Sequence, residues 1–111
     1  MLLTERGVLK KMHRRVVKSF MDATVLAELK NSHPMSGHDT IGYIHDRFHI
    51  LVSSGTIYSL LYSMERDGLI DGRWAKRKRV YALTAKGNRK IEAILNANDK
   101  IKVLLTSLLR G

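Results

Sequence analysis

A chain of 111 residues, 44% hydrophobic and 27% charged with a single proline, suits one folded domain with one modest core and carries no compositional sign of disorder. It has no cysteine, which excludes disulfides, thiolate metal sites and a cysteine nucleophile, and no run approaches the roughly 20 apolar residues of a membrane span. The formal charge of +10 is segregated: residues 1–20 carry +5, 21–70 carry −3, 71–80 carry +4 and 81–111 carry +4, a distribution suited to binding a polyanion.

The opening Met1-Leu2-Leu3-Thr4-Glu5 meets charge too soon for a signal peptide, so the expected location is cytoplasmic. Residues 1–19 include Lys10, Lys11, Arg14, Arg15 and Lys18 on several helical faces, and they read as a basic arm or an added first helix. Over 20–31, Met21, Val25 and Leu29 recur at helical spacing, and Asn31-Ser32-His33-Pro34 ends that helix. A second helix opens at Ser36, whose hydroxyl can accept a free backbone N–H, with Asp39 three residues on and Ile41, Ile44 and Phe48 as its stripe. A third follows the cap signal Ser53-Ser54-Gly55-Thr56, carries Ile57, Leu60, Leu61 and Met64 on one side, and stops at Asp67-Gly68. Three helices in tandem with a brief connection between the last two make a helix-turn-helix.

After Gly68 the period changes. Residues 69–74 and 79–84 suit two strands around the cationic tip Ala75-Lys76-Arg77-Lys78, but no Asn-Gly or Asp-Gly fixes the turn or its register. Trp74 in this hairpin is expected to pack against the core. Thr84 then caps one long last helix to about Leu109, striped with Ile91, Ile94, Leu95, Ile101, Leu104, Leu105 and Leu108. Little of its own domain remains to cover that stripe, so it predicts a homodimer, with two recognition helices about one duplex turn apart on a roughly palindromic site. The expected fold is mostly α with a small β-hairpin: a winged helix-turn-helix domain over 20–84, preceded by the basic segment 1–19 and followed by a dimerisation helix over 85–111.

The outer side of the third helix holds Gly55, Ser59, Tyr62, Ser63 and Arg66, with Ser54 at its start and Thr56 and Tyr58 at its flanks. It offers hydrogen-bonding groups and one cation without a carboxylate, as a helix approaching phosphates and base edges of double-stranded DNA must. Arg73, Lys76, Arg77, Lys78 and Arg79 follow directly, the tip cations being the stronger phosphate contacts, and counterion release there would supply sequence-independent affinity.

Three segments carry a family resemblance: Pro34-Met35-Ser36-Gly37, then residues 54–70 (SGTIYSLLYSMERDGLI), then Val80-Tyr81-Ala82-Leu83-Thr84-Ala85-Lys86-Gly87. Together, over about residues 20–95, the sequence resembles the PadR-like transcriptional regulators. The resemblance implies a winged helix-turn-helix, a dimer made through the C-terminal helix, and repression by operator binding. The sequence departs from the family pattern at Ser59, where proline is common, at His38, where an aromatic is frequent, and at a wing tip without glycine or proline. The resemblance also implies a small aromatic effector at the dimer interface, although the C-terminal helix here contains no aromatic residue.

Competing functions find less support. His38, His45 and His49 fall near one helical stripe, but no cysteine or well-placed carboxylate joins them, Asp46 lying about 100° round the helix from His45, so no metal or other cofactor is expected. No glycine-rich phosphate loop, nucleophile elbow or paired carboxylates suggest an enzyme. The stronger rival is an architectural protein that coats DNA without sequence preference, since charge alone would serve that role.

Overall fold

The computed structural model describes residues 4–110, so the reading of Met1-Leu2-Leu3 lies outside the described residues. Nine elements follow in order: α1 (Glu5–Ser19), α2 (Met21–Asn31), β1 (Met35–Ser36), α3 (Gly37–Phe48), α4 (Ser54–Arg66), β2 (Ile70–Ala75), β3 (Lys78–Leu83), α5 (Ala85–Asn96) and α6 (Asn98–Leu108).

Of the two readings of the basic N-terminal segment, the helix is correct. Thr4 caps it by accepting from the Gly7 N–H at 3.0 Å. Only Val17 of α1 is buried, and His13 Nε2 sits 3.1 Å from the Phe48 carbonyl oxygen, tying α1 to the end of α3. The core lies beneath α2, α3 and α4, where Val25, Leu26, Ile44, Ile57 and Leu61 are fully enclosed. Removing each such side chain from water contributes about 1.5–3 kcal/mol, the dominant favourable term for a domain this small.

The helix starts follow the sequence closely. Ser36 Oγ accepts from Asp39 N at 3.1 Å while Asp39 Oδ2 accepts from Ser36 N at 3.0 Å, a reciprocal capping box at α3. Ser53 Oγ caps α4 by accepting from Thr56 N at 3.2 Å. At the end of α4, Gly68 takes φ +77°, and Leu69 N reaches back to the Met64 carbonyl at 2.9 Å, closing the helix with the left-handed turn that glycine permits.

Two features depart from expectation. Met35 and Ser36 form a short third strand, paired with Tyr81 and Val80, so the sheet has order β1-β3-β2 and is not a bare hairpin. The expected long C-terminal helix breaks at Ala97 (φ −90°, ψ 7°) into α5 and α6. Asn96, Asn98 and Asp99 around the break are weak helix formers whose short polar side chains compete with the backbone.

That break divides the proposed dimer stripe. α5 packs against α2 in the same chain: Ile91 is 1% exposed, Ile94 packs partly on the core, and Lys30 Nζ holds Asn88 Oδ1 at 2.8 Å and Glu92 Oε1 at 3.0 Å. Its lysine partner holds the Glu92 carboxyl below its ordinary range. Ile91 therefore belongs to the monomer core, and Ile94 packs partly against it. α6 buries none of its residues, and Val103, Leu104, Leu105 and Leu108 all stand in solvent.

Candidate nucleic-acid interface

Helix α4 presents two different sides. Ile57, Leu61 and Met64 are buried, while Ser54, Gly55, Thr56, Tyr58, Ser59, Tyr62 and Arg66 are exposed, Tyr62 to 68%. Ser63 is half-buried and accepts from Arg66 Nη2 at 3.2 Å; Arg66 Nε also lies 3.5 Å from Asp67. Local bonds thus pre-orient the single cation of this face at the helix C-terminus, where a positive charge suits the dipole.

Strands β2 and β3 pair in full register from Ile70↔Leu83 to Ala75↔Lys78, leaving Lys76 and Arg77 as a two-residue turn. Both have positive φ, 49° and 69°, the pattern of a type I′ turn that glycine and asparagine usually occupy. This strained tip replaces the absent Asn-Gly signal and holds Lys76, Arg77 and Lys78 exposed. Arg73 is also exposed and reaches its neighbour Asp71 at 3.3 Å.

Arg79 differs from the other wing cations. Half-buried, it donates from Nη2 to Glu65 Oε2 at 2.8 Å, and its guanidinium carbon stands 5.9 Å from the centre of the Tyr81 ring. Glu65 Oε2 also accepts from Gly72 N at 2.9 Å, so one carboxylate of α4 holds both wing strands. Arg79, expected among the DNA contacts, is held by this pair as a strut between the wing and α4. Glu65 escaped the sequence reading because it sits between the polar and apolar sides of α4.

Wing and helix share one surface. A cleft of about 410 Å³ is bounded by Tyr58 from α4, by His38 and the backbone at the start of α3, and by Trp74, Arg77 and Lys78 from the wing. Gly37 makes the approach possible, because a Cβ there would collide with the Tyr58 ring. Nearby Lys78 and His38 add to the hydrogen bonds from Ser36 that keep the Asp39 carboxyl below its usual range. Trp74 does not pack on the core: it is 73% exposed, on the outer half of β2, where Arg73 and Ala75 are exposed as well.

The histidines form no cage. His49 follows α3 in a left-handed conformation, which turns it away from the helical spacing with His45. His45 Nδ1 lies 3.6 Å from Asp46 Oδ1, closer than their helical phases suggested. Among the described residues, no three His, Cys, Asp or Glu side chains come together as a metal site, and no helix is long and apolar enough to cross a membrane.

The model of the transcriptional regulator PadR-like family matches residues 25–93, which span most of α2, the rest of the helix-turn-helix, the wing and most of α5. The chain belongs to the PadR-like family of transcriptional regulators. PadR-like proteins are DNA-binding regulators and not enzymes. A PadR family regulator from Eggerthella lenta superposes with TM-score 0.77 at 19% identity, covering 94% of each chain. A PadR-like regulator from Bacillus cereus gives TM-score 0.71 at 22% identity, over 87% of this chain and 98% of its own. Bacillus subtilis PadR, solved in complex with operator DNA, gives TM-score 0.59 at 22% identity over 68% of this chain and 46% of its own. No curated protein sequence matches. At these identities the likeness is one of fold, so the contacts of this PadR-like protein must be argued from its own residues.

Proposed function

We propose that this PadR-like protein is a sequence-specific repressor that binds a pseudo-palindromic operator as a homodimer, with α4 in the major groove and the wing on the backbone or in the minor groove. The observation that carries the reading is the shared cleft: Tyr58 of α4 and Arg77 and Lys78 of the wing line one depression, so one duplex can meet both. Ser54, Gly55, Thr56, Tyr58, Ser59, Tyr62, Ser63 and Arg66 face the bases and adjacent phosphates, while Arg73, Lys76, Arg77 and Lys78 neutralise backbone. Arg79 supports the wing. Leu95 near the end of α5 and Ile101, Leu104, Leu105 and Leu108 of α6 form the partner surface, since none of them is buried within one chain. A regulator acting on chromosomal DNA works in the cytoplasm.

Selection of bound sequences from a random duplex library tests this directly. The expected result is an enriched, two-fold symmetric motif preferred over random duplex by at least about 10³-fold. Neutralising Lys76, Arg77 and Lys78 together should weaken binding and reduce the salt slope by about 2–3 for each bound protomer. No enriched motif, with strong binding retained, would establish the architectural reading instead.

A further inference from the structure

The geometry points to Trp74 as a DNA contact, its indole lying against the sugar-phosphate strand that the wing straddles. This rests on the duplex-binding reading of α4 and the wing. Trp74 is the sole tryptophan of the chain, and it stands 73% exposed near the tip of a short hairpin. Exposure of one ring alone calls for no partner, but this ring borders a cleft that also holds Tyr58, Arg77 and Lys78.

Register fixes where the ring lies. Trp74 pairs with Arg79 across the hairpin, on the sheet face that carries Gly72 and Tyr81. Tyr81 on that face is buried, whereas Trp74 extends beyond the core and borders the cleft with Tyr58. The cleft has aromatic side chains in its walls and Arg77 and Lys78 at its edge. Such a site takes an anionic strand with flat, weakly polar faces, which describes a nucleotide backbone: phosphate on the cations, deoxyribose or base edge on the rings. A second copy of the chain is a poor occupant, because residues 71–80 carry +4 and two such wings would repel.

Stacking releases no counterion, so a Trp74 contact adds affinity without adding salt dependence, and this separates it from the neighbouring cations. The test uses the full chain with a random-sequence duplex and with any operator recovered by selection. Saturating duplex should quench the fluorescence of this single tryptophan and shield it from acrylamide. W74A should weaken binding about tenfold at an unchanged salt slope, W74F should recover most of the loss, and thermal melting should show both variants folded. A duplex that binds at saturation without altering the fluorescence, or that binds W74A as it binds the parent chain, overturns the contact alone. A fluorescence change that follows protein concentration without DNA overturns it in favour of self-association. A parent chain that binds no duplex overturns the DNA reading and this contact with it.

Discussion

Arg79 donates to Glu65 at 2.8 Å, so the wing of this protein is fastened to α4 by an ion pair whose carboxylate also holds the Gly72 N–H. Removing the acid should loosen the wing and at the same time free a cation. E65A is therefore expected to lower stability by about 1–2 kcal/mol, to raise affinity for random duplex with a salt slope steeper by up to about one, and to narrow the preference for operator. Parallel titrations of operator and random duplex check it. A variant that keeps the full operator preference would show that wing placement is set elsewhere.

The turn at Lys76 and Arg77 holds two side chains in a conformation that favours glycine. R77G should stabilise the fold by about 0.5–1 kcal/mol, as relief of left-handed strain outweighs the extra freedom of glycine when unfolded. DNA binding should weaken in the same variant, with the salt slope reduced by about one for each bound protomer. Stability and affinity moving in opposite directions is the expected signature, read from denaturant melts and salt titrations.

Ser36 and Asp39 cap α3 beside the cleft, and S36A should cost about 1 kcal/mol at neutral pH. Asp39 has a lowered folded pKa because Ser36 bonds its ionised form, through the backbone N–H first. Its contribution is therefore fully present above the ordinary carboxylate range near 4 and is lost as pH falls through the lower folded value. D39N should flatten the stability profile of the protein below about pH 4, and an unchanged profile would remove Asp39 from that account.

Ile91 and Leu108 shared one apolar stripe in the sequence but have different surroundings in the fold. I91A should destabilise the chain by about 2–4 kcal/mol, since it opens a cavity in the core. L104D with L108D should leave the fold intact and produce monomers in light scattering, with binding to a full palindrome weakened and binding to a half-site unchanged. If that pair of substitutions leaves the oligomeric state as it was, α6 is not the partner surface.

Much of this architecture was legible because it rests on local chemistry. Apolar spacing located α2, α3 and α4, Ser36 and Ser53 marked two helix starts, and Gly68 marked an end, since caps and left-handed turns depend on residues close in sequence. Features decided at long range were not legible. The strand at Met35 exists only because Tyr81 and Val80 arrive beside it, and the exposure of Trp74 depends on which elements pack beside β2. Glu65 and Arg79 are 14 residues apart, and no local pattern in the sequence signals their pairing. Within α5 and α6, periodicity could identify apolar residues but not say which of them the same chain would cover.

The elbow at Ala97 separates an arm packed on α2 from most of the surface that would meet a second chain. In the proposed assembly α5 moves with the reading head, and its 12 residues make a lever about 18 Å long. A swing of about 10° there carries the head about 3 Å, close to the ~3.4 Å rise of one base-pair step. One residue's backbone torsions would thus gear which spacing between half-sites is accepted, and operators stepped one base pair at a time would measure that tolerance.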